Sequence, residues 1–208
     1  MINYTKNETN IEFKEETLFE NTIRFQDYNI KIHKGTKLGK GTKIMENVVI
    51  RENAIIGEDC IVGNGSLIRE NAQLGDNVKI GFSCSIETNA KVGNGTNIQG
   101  FSMICEFSQI GKGCFFGPFF CNPADNDISN FEGEYKPNPA IIGNNVRIGA
   151  KVTLKPAISI GNNVVIGMSS LVTKNVPDNE MWYGSPAKQV IKQQTGIGDS
   201  NGNKQLRG

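Results

Sequence analysis

The sequence predicts an all-β protein that coils as a triangular prism of short strands. An aliphatic residue recurs at every sixth position from Ile32 to Ile110, and the period resumes from Ile142 to Val172. A small or β-branched residue follows most aliphatic ones after four positions, so both side chains point inward at alternate positions of a strand. The residue before the small one is Gly, Asn or Asp at most sites, and these types tolerate the positive φ of a sharp corner.

A second period, three times as long, gives the number of sides. The segment Ile-Arg-Glu-Asn-Ala occurs at 50–54 and again at 68–72, and glycines recur at the same spacing from Gly39 to Gly111. Three six-residue units therefore complete one coil. Neighbouring coils stack about 4.8 Å apart and hydrogen-bond along the stack. The length of the periodic region predicts about seven coils.

The chain divides into a cap, two runs of coils and an insertion. Residues 1–30 are out of register, and we expect them to cap the first coil with apolar residues such as Phe19. Regular coils are expected over 31–118 and 140–178. The insertion at 119–139 interrupts them, and loops of this length inside compact domains are commonly functional.

The C-terminal part is expected to leave the prism after Pro177. Ser185 is a suitable N-cap and Pro186 suits the first helical position, which predicts a short α-helix within 179–194. The remaining residues, 195–208, form a polar and Gly-rich tail.

Composition excludes several classes of protein. Lys+Arg 22 against Asp+Glu 21 gives a net charge of +1, which argues against a general nucleic-acid or anionic-membrane binder. The opening residues lack the basic and apolar regions of a signal peptide, so a cytoplasmic location is expected. A single histidine excludes a zinc centre built on three imidazoles.

The five cysteines form no Cys-x-x-Cys pair, and three of them occupy the small inward position of the repeat: Cys60, Cys84 and Cys114.

The corner pattern fails where function is expected. Phe101 and Phe107 replace the usual Gly, Asn or Asp, and Lys151, Ala157 and Ser169 do so after the insertion. Six phenylalanines crowd residues 101–120. Two interpretations stay open, a subunit interface and a surface on which a flat ligand such as a nucleotide base stacks. On the second interpretation, the candidate substrate-binding aromatics are Phe101, Phe107 and Phe119.

The repeat, of the form aliphatic-Gly-x-x-small-x, resembles that of the hexapeptide-repeat acyltransferases over about residues 32–188. The resemblance implies a left-handed parallel β-helix, and it supplies the handedness that the period alone leaves undetermined. It also implies a homotrimer whose active sites lie at subunit boundaries, where the inserted loop projects.

The segment from Ile142 to Lys188 resembles the C-terminal signature of that family. The resemblance implies that backbone amides at coil corners bind the pantetheine arm of an acyl-CoA, expected to be acetyl-CoA. By motif position these residues are Gly149, Ala150, Gly167, Met168 and Ser169. Lys174 and Lys188 would meet the phosphates as point charges.

The acceptor side resembles the N-acetyltransferases that modify nucleotide-linked amino sugars. Sugar acyltransferases with an imidazole base carry a His-Pro pair where this chain has Asn122-Pro123, and an amide cannot act as a general base. His33 lies about five coils away, roughly 24 Å. A free amine already attacks a thioester without a base, whereas a hydroxyl needs one. The resemblance places Glu106 at an acidic position that could hold or deprotonate the ammonium form.

These considerations give a candidate site and leave two alternatives. Glu106 and Asn122 are the candidate catalytic residues, and the loop adds three candidate substrate-binding residues: Asp125, Tyr135 and Lys136. No metal is expected. The leading hypothesis is an acyl-CoA-dependent N-acyltransferase acting on a nucleotide-linked amino deoxy sugar for cell-surface glycan biosynthesis. A sugar or antibiotic O-acetyltransferase and a non-catalytic β-helix scaffold remain as alternatives. A γ-class carbonic anhydrase shares the repeat but needs three histidine ligands.

Overall fold

The computed structural model describes residues 2–125 and 135–190, which wind into a left-handed parallel β-helix with three flat faces. The all-β prism predicted from the sequence is confirmed. The strands are numbered along the chain, and each face is named by the order in which the first coil reaches it. An N-terminal group precedes the coils: β1 (Tyr4–Lys6), β2 (Asn10–Phe13), β3 (Thr17–Leu18), β4 (Ile23–Phe25) and a 3-10 helix (Gln26–Tyr28).

Face 1 contains eight parallel strands: β5 (Ile30–Ile32), β8 (Val49–Ile50), β11 (Leu67–Ile68), β14 (Ser85–Ile86), β17 (Met103–Ile104), β20 (Cys121–Asn122), β23 (Thr153–Leu154) and β26 (Leu171–Val172). Face 2 contains seven: β6 (Lys37–Leu38), β9 (Ile55–Ile56), β12 (Gln73–Leu74), β15 (Lys91–Val92), β18 (Gln109–Ile110), β21 (Ile141–Ile142) and β24 (Ser159–Ile160). Face 3 contains β7 (Lys43–Met45), β10 (Ile61–Val62), β13 (Lys79–Ile80), β16 (Asn97–Ile98), β19 (Phe115–Phe116), β22 (Arg147–Ile148), β25 (Val165–Ile166), β27 (Met181–Gly184) and β28 (Ala187–Gln189). Seven full coils result, and β26 and β27 begin an eighth.

The two sequence periods set the core and the stacking. The second residue of each regular strand points inward and is buried, as at Ile56, Leu74 and Val92. Each strand pairs with the strand one coil later, for example at Gln73 and Lys91. The glycines of the longer period allow this close approach, because a Cβ built on Gly93 would lie 2.7 Å from the backbone carbon of Gly111.

The N-terminal residues cover the open end of the first coil. The strands β2, β3 and β4 pair antiparallel with β7, β6 and β5, so each face has its first strand edge covered. Three aromatic side chains of this segment are buried over the core. Phe13 lies between the other two, with ring centroids 5.8 Å from Phe19 and 6.4 Å from Phe25.

The inserted loop begins later than the sequence analysis placed it. Residues 119–122 still follow the coil, because Phe120 is buried and Cys121 pairs with Met103 in β17. The register then jumps, since Gln109 pairs with Ile141 rather than with a residue one regular coil later in the sequence. The extra residues are therefore inserted after β20, at the corner between faces 1 and 2. The part of the predicted loop from 126 to 134 lies outside the described residues.

The predicted C-terminal helix is wrong for the residues that the structure describes. The strand β27 continues face 3, with Met181 paired to Val165, and β28 folds back on it antiparallel. Ser185 and Pro186 form the turn, joined by a cis peptide bond. The strand β25 leaves free backbone groups at the end of face 3, and the hairpin pairs with them. The helix signals at Ser185-Pro186 are local, so they do not reveal this free strand edge. Residues 191–208, including the end of the predicted helix and the tail, lie outside the described residues.

Candidate functional site

Three edges join the faces, and the second residue of almost every corner has a positive φ. Edge 1–2 contains corners 34–35, 52–53, 70–71, 88–89, 106–107, 156–157 and 174–175. Edge 2–3 contains corners 40–41, 58–59, 76–77, 94–95, 112–113, 144–145, 162–163 and 178–179. Edge 3–1 contains corners 46–47, 64–65, 82–83, 100–101, 118–119, 150–151 and 168–169. The bulky residues that break the corner pattern keep its geometry, with φ of 58° at Phe101, 59° at Phe107 and 62° at Phe119. Such values are rare for bulky residues and cluster at functional sites.

Edge 3–1 carries a row of exposed aromatic rings. Phe101 and Phe119 stack with centroids 5.1 Å apart and an interplanar angle of 13°. Phe82 meets Phe101 edge-on at 4.8 Å. All three side chains are about half exposed. Sequence analysis predicted two of these residues but missed Phe82. Its signal was Gly100, one coil later, where a Cβ would lie 2.7 Å from the Phe82 ring.

The same edge carries backbone amides at the predicted acyl-donor residues, but only two of the five amides are open. The amides of Gly149, Gly167 and Ser169 already donate to carbonyls in neighbouring coils, at 2.8–2.9 Å. Within residues 2–125 and 135–190, the amides of Ala150 and Met168 have no hydrogen-bond acceptor. These two residues occupy equivalent corners one coil apart, so their amides are the ones that can bind a ligand.

The corresponding amides on edge 2–3 are closed by side chains. Asn144 donates its amide to Oδ1 of Asn162 at 2.9 Å, and Asn162 donates its amide to Oδ1 of Asp178 at 2.7 Å. The amide of Lys112 donates to Oδ1 of Asn144 at 3.0 Å. Each acceptor is a short Asn or Asp side chain in the next coil. The Ala150 amide differs because Met168, its counterpart in the next coil, carries no such acceptor.

The two predicted phosphate-binding lysines come together at the C-terminal end of the prism. Lys174 follows β26, and Lys188 lies in β28 opposite Tyr183. Both line a groove of about 310 Å³ whose wall includes Trp182. The hairpin also lies next to edge 3–1, because the amide of Gly167 donates to the carbonyl of Trp182 at 2.8 Å. Lys174 itself belongs to corner 174–175 of edge 1–2, whereas Lys188 lies on the hairpin beside edge 3–1.

Edge 1–2 carries the candidate acid and the described part of the loop. Glu106 is half-buried at corner 106–107, and the Tyr135 hydroxyl donates a hydrogen bond to its carboxylate. Phe107, the second residue of the same corner, is 48% exposed. Because this corner joins faces 1 and 2, Phe107 lies on a different edge from Phe101 and Phe119. Asp125 and Lys136, at the two described ends of the loop, are exposed.

Asn122 does not face a substrate. Its side chain is fully buried in the inward position of β20. Its Oδ1 accepts from the backbone amide of Cys105 at 3.2 Å, and its Nδ2 donates to Oγ of Ser108 at 2.8 Å. The structure therefore corrects the expected catalytic role, because both amide atoms are engaged inside the protein. Asn122 instead holds the backbone amide of Cys105 and the side chain of Ser108, which lie on either side of Glu106 in the sequence.

A ladder of ion pairs occupies edge 1–2 below Glu106. Nδ1 of the buried His33 lies 2.8 Å from Oε1 of Glu52. Arg51 and Arg69 bind Glu70 at 3.0 and 2.9 Å. Partial burial raises the pKa of Glu70, but hydrogen bonds from its own backbone amide, both arginines and a threonine outweigh this and lower it to about 2. The chain's one imidazole is thus a structural group, remote from the loop.

The site residues divide between two edges of one prism. Glu106, Phe107 and Tyr135 lie on edge 1–2, whereas the open amides and the aromatic row lie on edge 3–1. Face 1 separates these two edges. The first residue of each of its strands from β8 to β26 is uncharged: Val49, Leu67, Ser85, Met103, Cys121, Thr153 and Leu171.

Two features concern all the described residues, 2–125 and 135–190. None of their helices is both long enough and apolar enough to cross a membrane. No cluster of three or more His, Cys, Asp or Glu side chains placed to hold a metal ion occurs among them.

The similarity to known proteins lies in the coils. The family model for the bacterial transferase hexapeptide (six repeats) matches residues 35–70, 53–88 and 139–174. A galactoside O-acetyltransferase of Escherichia coli K12 is 45% identical over 58 residues, which cover 28% of this chain and 29% of that protein. A chloramphenicol acetyltransferase of Agrobacterium fabrum is 38% identical over 76 residues, 36% of each chain. The matches thus span only about a third of these relatives.

Among solved structures, the polySia-specific acetyltransferase NeuO aligns with a TM-score of 0.51 and 24% identity, over 80% of this chain and 83% of that one. This likeness concerns the fold. The family model thus matches repeats that lie within the coils, and the three-faced parallel coil is the fold expected of such repeats.

Proposed function

We propose that the protein is an acyl-CoA-dependent N-acyltransferase that transfers an acyl group, expected to be acetyl, to the amine of a nucleotide-linked amino deoxy sugar. Such a reaction would serve cell-surface glycan biosynthesis. The amine nitrogen attacks the thioester carbonyl carbon, the C–N bond forms, and the C–S bond breaks to release the CoA thiol. The surplus proton of the amine passes to the departing sulfur or to Glu106.

The observation that carries the choice of an amine is the absence of an imidazole at the loop. The chain has one histidine, and it pairs with Glu52 in the first coil. The residue at the start of the loop, Asn122, is buried and cannot titrate near neutral pH. A hydroxyl acceptor needs a base to become a nucleophile, whereas a free amine does not.

The open amides of edge 3–1 support the donor assignment. Amides of Ala150 and Met168 would donate to the carbonyl oxygens of the pantetheine arm. Gly149, Gly167 and Ser169 would then shape the groove, because their own amides are engaged. Lys174 and Lys188, which share one groove, would meet the CoA phosphates.

The acceptor assignment rests on Glu106 and on the aromatic row. The Tyr135 hydroxyl fixes the Glu106 carboxylate, which can hold the ammonium group of an amino sugar and take up its proton. The exposed rings of Phe101 and Phe119 give a flat apolar surface on which a nucleotide base can stack. Phe107, Asp125 and Lys136 are candidates to contact the sugar and its diphosphate.

We further propose that the site forms between copies of a homotrimer. The open amides of Ala150 and Met168 and the carboxylate of Glu106 lie on two edges of one prism, so one copy cannot bring them together. Edge 1–2 of one copy would meet edge 3–1 of the next. The uncharged strand positions of face 1 favour this approach, because two copies meet no like charges there.

The second candidate is an O-acetyltransferase, favoured by the similarity to galactoside O-acetyltransferases of Escherichia coli K12 and Lactococcus lactis. Incubation with acetyl-CoA and panels of TDP- and UDP-linked amino sugars, with thiol release as the readout, separates the two. We expect turnover with at least one amino sugar and none with its hydroxyl analogue. Turnover of hydroxyl acceptors alone would favour the second candidate. If the protein shows neither turnover nor CoA binding, a scaffold role remains.

A further inference from the structure

The inward side of face 1 has one polar residue at the second strand position. Among the eight described strands of this face, that residue is Asn122 in β20, and it is fully buried. The other seven strands carry an aliphatic residue there: Ile32, Ile50, Ile68, Ile86, Ile104, Leu154 and Val172. Burying an amide in an apolar core costs free energy unless its polar atoms are hydrogen-bonded. The contacts of Asn122 therefore indicate what the amide contributes.

The oxygen of the Asn122 side chain does the work of a backbone carbonyl. One coil earlier, the residue after the strand is Glu87, and its amide donates to the carbonyl of Ile104 at 2.9 Å. Cys105 holds the same position one coil later, and its amide donates to Oδ1 of Asn122 at 3.2 Å. A side-chain acceptor is thus used at this point of the ladder.

This exchange of acceptors occurs where the chain leaves the coil. The strand β20 pairs with β17, one coil earlier, at two positions, but with β23, one coil later, only through Cys121 and Thr153. Pro123 follows Asn122 directly and has no N–H to donate to the next coil. Asn122 is therefore the residue at which the regular ladder of face 1 ends and the inserted loop begins.

The other end of the amide reaches across the corner that carries Glu106. Nδ2 of Asn122 donates to Oγ of Ser108 at 2.8 Å. The backbone amide of Ser108 in turn donates to the carbonyl of Cys105 at 3.3 Å. One buried side chain thus ties together the two residues that flank the corner. The carboxylate of Glu106 projects from this corner and accepts a hydrogen bond from Tyr135.

We propose that Asn122 is a positioning residue that fixes the Glu106 carboxylate for the acceptor amine. It acts through the corner and touches no substrate. The proposal rests on the proposed function, because the position of Glu106 affects the rate only if its carboxylate holds or deprotonates the ammonium group. A misplacement of about 1 Å lowers catalysis by roughly a hundredfold. Such a requirement accounts for a polar residue at an otherwise aliphatic position.

The test replaces Asn122 by leucine, the residue at the equivalent position of β23. Because aliphatic residues fill this position in the other strands, Asn122→Leu should keep the melting temperature within a few degrees of wild type. With an amino-sugar acceptor, kcat should fall at least about tenfold, while CoA affinity stays unchanged. An unchanged kcat would overturn the proposal.

The control is Thr96→Val on edge 2–3. It removes a buried hydroxyl that donates to the carbonyl of Gly111 at 3.0 Å and accepts from the amide of Cys114 at 3.1 Å. We expect a lower melting temperature and an unchanged kcat, since these contacts are remote from Glu106. The two variants thus separate a loss of stability from a loss of position.

A conservative variant provides the opposite case. In Asn122→Asp, one carboxylate oxygen can accept from the Cys105 amide and the other from the Ser108 hydroxyl, which rotates to donate. Burial of a charge should lower the melting temperature below that of Asn122→Leu, yet kcat should be the higher of the two. If kcat instead follows the melting temperature in the two variants, Asn122 has only a structural role and the proposal fails.

Hydrogen exchange gives a readout that needs no turnover. In the native full-length protein, the peptide that contains Cys105 to Ser108 should exchange faster in Asn122→Leu than in wild type, and at the wild-type rate in Thr96→Val. Unchanged exchange in Asn122→Leu would overturn the proposal. Faster exchange in a protein that acetylates no amino sugar would support the corner contact and contradict the proposed function.

Discussion

Edges 2–3 and 3–1 of the prism have the same backbone and opposite chemistry. On edge 2–3, the outward corner amides of Lys112, Asn144 and Asn162 each donate to an Asn or Asp oxygen in the next coil. On edge 3–1, within the described part of the chain, the equivalent amides of Ala150 and Met168 lack acceptors. One side-chain position per coil therefore decides whether a corner stabilises the stack or presents a donor to a ligand.

The comparison explains why function concentrates on the irregular edges. An unpaired amide costs stability when it is desolvated without an acceptor. A stack with no binding role would gain by closing its corners with Asn or Asp, as edge 2–3 does at Lys112, Asn144 and Asn162. In the same coils, edge 3–1 leaves the corners at Ala150 and Met168 open, and it adds bulky residues in the left-handed region, as expected of a binding edge.

The largest effect on activity is expected from Glu106, which lies on edge 1–2, the third edge of the prism. Glu106→Gln should lower kcat/KM at least about a hundredfold, because proton transfer by a positioned carboxylate contributes factors of that size. Glu52→Gln, three coils below on the same edge, should leave kcat/KM unchanged. Steady-state kinetics with an amino-sugar acceptor measure both. Equal rates for Glu106→Gln and wild type would remove Glu106 from the mechanism.

A smaller effect separates the open edge from the closed one. Ala150→Pro deletes one outward amide and keeps the corner, since Pro118 already occupies the equivalent position one coil earlier. We expect CoA affinity to fall about three- to tenfold, the worth of one hydrogen bond. The matched variant Lys112→Pro removes a donor on edge 2–3 and should lower the melting temperature with CoA affinity unchanged. Calorimetric titration measures CoA affinity, and thermal unfolding measures the melting temperature. Lower CoA affinity in Lys112→Pro, with only a lower melting temperature in Ala150→Pro, would refute the comparison.

On the closed edge, the expected effect is on stability alone. Asn162 accepts from Asn144 through both the amide and the side chain, at 2.9 and 3.1 Å. Asn162→Ala leaves those donors without an acceptor and should reduce the free energy of unfolding by about 1–3 kcal/mol. Denaturant titration measures the loss. Unchanged stability would show that this ladder does not hold the coils together.

The smallest expected effect concerns pH on edge 1–2. The folded-state pKa of Glu70 is about 2, below an unfolded value of about 4.3. Its ionised form thus stabilises the fold above the unfolded value, and this contribution disappears as pH falls toward 2. Glu70→Gln should lower the melting temperature at neutral pH, and its difference from wild type should shrink through that window. A constant difference across the window would contradict the assignment.

Much of this arrangement follows from the two sequence periods, and the exceptions are instructive. The six-residue period predicts the buried face, and the longer period predicts which corners share an edge. The longer period also places Asn122 inward, because it lies one coil after the inward Ile104. The family motif had instead suggested a role for Asn122 in the active site. The hairpin at β27 was missed because a free strand edge lies in the tertiary structure rather than in the local pattern. Whether a corner amide is open or closed depends on an acceptor in the next coil, so it can be determined only from the three-dimensional structure.

The division of the site between copies can be tested by mixing two inactive variants. Glu106→Gln and the double variant Ala150→Pro/Met168→Pro, refolded together, should recover about a quarter of the wild-type rate, because each site draws its two edges at random from neighbouring copies. Mixed trimers with no recovered activity would place both groups of residues in one copy.

The most direct test converts the open edge into a closed one. Met168→Asn places an amide oxygen above Ala150, as Asn162 lies above Asn144. We expect the new side chain to accept the hydrogen bond of the Ala150 amide, so that the melting temperature holds or rises while CoA affinity falls by about tenfold or less. Retention of full CoA affinity together with a higher melting temperature would show that the amide is closed without consequence, and would contradict the assignment of edge 3–1 as the acyl-donor site.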